Sequence, residues 1–157
     1  MQSKLTLKGA IAALTLLAGC GGSTGGSTAG TTPTAASTGA TIAVATNTKL
    51  GQILVDASGK TVYLFVADTG TSSTCYTSCA TIWPPVLTTG APQAGTGAQA
   101  SLLGTTARTD GTTEVTYAGH PLYYFIKDQA AGDTKGQGIN GFGGLWWVMG
   151  PSGAAMH

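Results

Sequence analysis

The stretch Leu122–Asp128, LYYFIKD, lies sixty positions after Val62–Asp68, VYLFVAD, and Tyr, Phe and Asp fall in the same places of both. Alternate residues of a strand share a face. Tyr63 and Phe65 therefore point one way and Val62, Leu64 and Val66 the other, and Tyr123 and Phe125 stand in the same relation to Leu122, Tyr124 and Ile126. Both faces are apolar, which predicts two central strands covered on both sides. The correspondence extends beyond the heptapeptides: Gly59 falls on Gly119, Val55 on Val115 and Lys60 on His120, and Ile82-Trp83 resembles Leu145-Trp146 after three extra residues. A unit of about forty residues is used twice, too few copies for a solenoid. The predicted fold is all-β: two pseudo-symmetric hairpin-based repeats, each covering the other's apolar face, in one compact sheet or sandwich domain.

Turn residues set the strand limits. Gln52–Asp56 leads through Ala57-Ser58-Gly59 into Lys60–Val66, a hairpin pattern. Thr105–Thr109 leads into Asp110-Gly111, a pair that tolerates the positive φ of a tight turn, and then into Thr112–Tyr117. A turn at Ala118-Gly119 precedes Pro121–Lys127, and Leu145–Met149 is a last short strand. Cys75–Ile82 can make a helical turn, which Pro84-Pro85 would stop. Asp68 and Asp128 close their strands, where a carboxylate accepts backbone N–H groups of the following turn. The alternative, cation ligation helped by Asp133, asks for more oxygens than this acid-poor region offers.

Charged residues make up 8% of the 157, against roughly 25% in an average soluble protein. No apolar run reaches the ~20 residues that a spanning helix needs. The first residues read as an export signal: Lys4 and Lys8 precede an apolar core, Ala10–Ala18, that ends at Leu17-Ala18-Gly19-Cys20. This resembles the lipobox of bacterial lipoproteins, which implies cleavage after residue 19 and a lipid on Cys20. Gly21 rather than Asp after that cysteine implies, by the same resemblance, the outer membrane in a host with two. Residues 20–41 carry the lipidated cysteine and a Gly/Ser/Thr tether without large apolar side chains. Residues 42–153 form the expected single domain, with repeat one at about 50–87 and repeat two at about 105–150, and Thr88–Ala100 reads as a long surface loop between them. Without residues 1–19 the chain holds five Lys/Arg against six Asp/Glu. That balance argues against nucleic acid as a partner.

The pair YLFVAD and YYFIKD, the lead-in TTARTDGTTEVTYAGHPLYYF and the spacing Cys-x3-Cys-x3-Trp-Pro-Pro resemble the bacterial lipoproteins termed secreted repeats of unknown function. The resemblance implies an exported, lipid-anchored, β-rich domain in the cell envelope, and carries no catalytic residue with it. Tyr63, Phe65, Asp68, Tyr123, Phe125 and Asp128 are then expected to be structural.

With Cys20 committed to lipid, Cys75 and Cys79 remain as a pair, and in an oxidising compartment the default is a disulfide. The alternative function is a copper-binding or redox lipoprotein: thiolates and thioethers suit Cu(I), and His120 and Met149 could complete a set with Cys75 and Cys79. His120 sits between Gly119 and Pro121 and matches Lys60, which suits a solvated turn. Trp83, Trp146 and Trp147 could contact sugars or polymers, and adjacent Trp146 and Trp147 must face opposite ways in a strand. Convergent titratable groups are lacking. The expectation is a protein that is not an enzyme, needs no cofactor, and serves as an interaction or structural module for envelope proteins or glycans.

Overall fold

The computed structural model describes residues 39–157. Residues 1–38, which hold the expected signal, Cys20 and nearly all of the tether, lie outside them. The tether ends sooner than expected: the Ala40 N–H donates to Thr88 Oγ1 at 3.0 Å, and a strand starts at Thr41.

Among the described residues, nine strands, one short α-helix and one 3-10 turn follow: β1 (Thr41–Asn47), β2 (Gly51–Asp56), β3 (Tyr63–Phe65), α1 (Ser78–Ile82), β4 (Gln93–Ala94), the 3-10 turn Ala100–Leu102, β5 (Leu103–Ala107), β6 (Thr113–Tyr117), β7 (His120–Pro121), β8 (Asn140–Gly141) and β9 (Gly144–Val148). They form three small sheets with strand orders β2-β1-β4, β3-β9-β8 and β5-β6-β7. This is the expected β-rich, two-repeat domain. β1 is an addition to it. It pairs antiparallel with β2, from Ile42↔Asp56 to Asn47↔Gly51, and its counterpart is β5 on β6, where Leu103 faces Tyr117. Repeat one therefore starts at β1 and not near residue 50.

These registers correct the alignment. The hairpin strands correspond sixty-one positions apart, whereas the motif strands correspond at sixty, because the second turn is one residue shorter. Val62 N donates to Leu54 O at 3.2 Å and Leu122 N to Val115 O at 3.0 Å. Leu54, not Val55, is thus the partner of Val115. Gly59 and Gly119 still correspond, at φ +84° and +83°, a conformation that a β-carbon disfavours.

The repeats exchange their last strands. β3 pairs with β9 of repeat two, with Tyr63 opposite Val148 and Phe65 opposite Trp146. The strand 122–126 pairs with the segment of repeat one that begins at the end of α1: Tyr124 N donates to Pro84 O at 2.8 Å and Ile126 N to Ile82 O at 3.0 Å. Val66 N to Leu145 O, at 3.0 Å, mirrors the last of these. The axis of this pseudo-twofold passes between Tyr63 and Tyr123, each of whose N–H groups donates to the other's carbonyl, at 2.8 and 3.0 Å.

The core has two parts, one on each face of the motif strands. Tyr63, Phe65, Tyr123 and Phe125 pack with Ile53, Cys75, Trp83 and Trp146. Val62, Leu64 and Leu122 pack with Ile42, Leu54 and Met149. Val66 and Ile126, expected on a covered face, are 56% and 45% exposed. Each strand has already turned there: Asp68 N bonds Phe65 O, and Asp128 N bonds Phe125 O.

The segment 88–100, expected to be a surface loop, is sewn onto β1. Gln93 N donates to Ala40 O at 2.9 Å, Gly95 N to Ile42 O at 2.7 Å and Val44 N to Thr96 O at 2.8 Å. Its small residues make this possible. A β-carbon on Gly95 would stand 2.8 Å from the Ala43 methyl, and one on Gly97 would stand 2.9 Å from Val44.

Candidate functional site

The motif residues of the two repeats bond across the axis and not within their own copy. Tyr63 Oη donates to Asp128 Oδ2 at 2.6 Å, and Tyr123 Oη donates to Asp68 Oδ2 at 2.7 Å. Each carboxylate uses its other oxygen for the turn that follows: Asp68 Oδ1 accepts from Thr74 N at 2.7 Å and Asp128 Oδ1 from Lys135 N at 3.0 Å. The turn role agrees with expectation, and the exchange across the axis goes beyond it. Burial pushes both carboxyls above their ordinary values, and the tyrosine hydroxyls pull them back. Burial first, and then the bond to Asp128, raises the Tyr63 phenol, so the proton stays on the tyrosine. Asp133, considered beside them as a cation ligand, is paired with Lys135 at 2.7 Å instead. Among the described residues no three His, Cys, Asp or Glu side chains are placed to hold a metal.

Between the two Tyr–Asp bonds runs a column of four rings in the order Phe65, Trp146, Trp83, Phe125. Neighbouring centroids are 4.0, 4.0 and 4.3 Å apart, and the two indoles are within 4° of parallel. Tyr63 meets Trp83 edge-on at 5.3 Å and Tyr123 meets Trp146 at 5.1 Å, so the arrangement obeys the same twofold. Stacked and edge-on pairs of this kind add about 0.5–1.5 kcal/mol each beyond their buried area. Gly136 leaves the space: a β-carbon there would lie 2.7 Å from Trp83. Trp83 and Trp146, considered as contact residues, are 1% and 0% exposed and belong to the core. Trp147 faces the other way, is half-buried, and packs edge-on against His157 at 4.6 Å. Of the three indoles it alone reaches solvent to any extent.

The symmetry breaks at one place. By the hairpin register, repeat two has Glu114 where repeat one has Ile53, and Arg108 where repeat one has Asn47. The carboxylate and the guanidinium are both buried and meet at 2.6 Å. Arg108 also donates to Ser73 Oγ at 2.9 Å and to the Cys75 carbonyl at 2.7 Å, reaches Asp110 at 3.2 Å, and stacks over Tyr76 at 4.4 Å. Tyr123 Oη shares Ser73 Oγ at 2.7 Å. Burial pushes Glu114 up to about 8, against the lowering pull of Arg108, and its Oε1 has no hydrogen-bond partner among the described residues. Arg108 thus fastens the Cys75 loop of repeat one to the hairpin of repeat two. Sequence reasoning missed Arg108, Glu114 and Ser73. The available signal was a lone acid inside a strand whose other residues are uncharged, directly before Val115.

Cys75 and Cys79 are joined as a disulfide with Cα atoms 5.2 Å apart, so neither offers a thiolate as the copper alternative requires. Met149 is fully buried in the second core part, and His120 lies half-buried in β7, paired with Tyr117. Two adjoining hollows, of about 600 and 510 Å³, share Thr88, Thr89 and Thr113 in their walls, with Leu87, 48% exposed, beside the first. They lie where the segment between the repeats passes β6.

Two interlocked half-domains of one pattern, with the motif groups spent on joining them, define a tandem-repeat β module. The chain belongs to the family described as a secreted repeat of unknown function, which matches it twice, over residues 44–87 and 104–149. The first match takes in most of β1, as the fold does. No curated protein and no solved structure matches the chain.

Proposed function

We propose that this is a lipid-anchored protein of the bacterial cell envelope, held to a membrane through Cys20, whose domain is a non-catalytic interaction or structural module. Its partners are envelope proteins or glycans and not nucleic acid. One observation carries the reading. The tyrosines and carboxylates that the sequence repeats are consumed in pairs across the axis, so the best-placed acid–base groups of the domain hold it together and do not face a substrate. What is left for recognition is surface: half-buried Trp147 and the threonine-lined hollows between the repeats. Residues 39–157 should retain glycan or envelope-protein ligands on an array or in a pull-down, and Trp147→Ala should weaken that retention while lowering the melting temperature only slightly. Reproducible turnover of any substrate would overturn the proposal, and so would a palmitate-labelled precursor in which Cys20→Ala left labelling unchanged.

A further inference from the structure

We infer that the seam between the repeats is also a docking surface for a second copy of this chain, and that two chains can associate by exchanging whole repeats. Every element that closes a repeat is supplied by the other one: β9 on β3, the Ile82–Val86 segment on the strand 122–126, and each motif tyrosine on the opposite motif carboxylate. Nothing in this pairing requires the two repeats to share one backbone. A repeat two from a neighbouring chain would present the same strand edge, the same indole and the same carboxylate. Exchange of identical elements is a low-cost route to dimers, since each bond broken within a chain is remade between chains.

What holds the chain monomeric is the segment between Thr88 and Leu103. Thr88 N is bonded to Thr113 O at 3.0 Å, and Leu103 pairs with Tyr117 on the other flank of the same strand. Four residues along β6 and two strand spacings across it separate these anchors by about 16 Å. The fourteen residues between them span that gap with slack, taken up by the pairing of β4 to β1. A tether of this kind gives each repeat an effective concentration of its own partner in the millimolar range, and below that the intramolecular seam wins. Shortening the tether past its span reverses the preference. Removing residues 90–101 leaves Thr89 and Leu102, whose three steps reach about 11 Å at full extension. Such a chain can close its seam only with a neighbour. The exchanged dimer would present two copies of Trp147, whatever the domain binds.

The test compares residues 39–157 with the same chain lacking 90–101, by size exclusion with light scattering. The expected result is a monomer for the first and a folded particle of twice the chain mass for the second, with the near-ultraviolet signal of the indole column retained. That dimer should survive dilution for days, because separation requires unfolding. A folded monomer from the shortened chain would overturn the inference, as would a dimer that dissociates promptly on dilution. Should the shortened chain fail to fold, full-length chains decide. Donor-labelled and acceptor-labelled chains refolded together at high concentration should yield energy transfer that persists on dilution. Chains that refold only as unmixed monomers would refute the exchange.

Discussion

Replacing Tyr63 by Phe removes one oxygen from the seam and nothing from the ring packing. Two groups lose their partner. Asp128 Oδ2 loses a donor at 2.6 Å inside a residue that is 4% exposed. The N–H of buried Gly136 loses its acceptor, the same hydroxyl at 3.2 Å. A bond to a charged group contributes about 1.5–3 kcal/mol, and an orphaned buried donor costs a further 1 kcal/mol or more. The expected loss is therefore roughly 3 kcal/mol, a fall of about 10 °C in Tm for a domain of this size. The twin substitution Tyr123→Phe should cost less. Its carboxylate partner Asp68 lies half-buried and keeps two bonds from Thr74, at 2.7 and 2.9 Å, so water can replace the lost phenol. Urea unfolding of both variants, with Asp128→Asn and the double substitution Tyr63→Phe/Asp128→Asn to close a cycle, measures the terms. A coupling energy near zero between Tyr63 and Asp128, or a larger loss at Tyr123 than at Tyr63, would refute the claim that the exchanged bonds secure the seam.

Four further outcomes follow from the same geometry. The Glu114 carboxyl is raised in the folded state to about 8 from 4.5, so the folded form holds the proton more tightly. Its stabilising contribution is full below about pH 4.5 and is lost as pH rises through about 8. The urea midpoint should decline over that window, and Glu114→Gln should flatten the decline. Trp83→Ala empties the centre of the ring column and should cost about 3–5 kcal/mol, read by denaturant unfolding, whereas Trp147→Ala should cost far less. Gly136→Ala drives a methyl into Trp83 and Tyr63, at 2.7 and 2.9 Å, and should lower Tm by several degrees. Removing the disulfide by Cys75→Ser with Cys79→Ser should cost about 2 kcal/mol, since so short a loop constrains little of the unfolded chain.

The strands and turns were readable because they are local. Alternation reports which side chains share a face, and Asp110-Gly111 or Gly59 reports where a chain reverses, from neighbours alone. The same logic missed β1, whose TIAVATN sequence continues the small-residue composition of the preceding tether and carries only two large apolar residues. Pairing is not local, and there the sequence is less explicit. The heptapeptides announce that Tyr63 and Asp68 recur as Tyr123 and Asp128, but a repeat in sequence is equally consistent with each tyrosine bonding the aspartate of its own copy. The antiparallel pairing of Tyr63 with Tyr123 decides it: each tyrosine comes level with the turn that closes the other strand, where the opposite aspartate accepts its hydroxyl. Arg108 and Glu114 carried no such clue in their spacing. Their pairing arises because repeat two places an acid where repeat one places Ile53, and a buried carboxylate needs a cation within reach. A repeat that had stayed symmetric at that position would have left the Cys75 loop without its guanidinium clamp. The divergence of the two copies, as much as their likeness, is what fastens the halves.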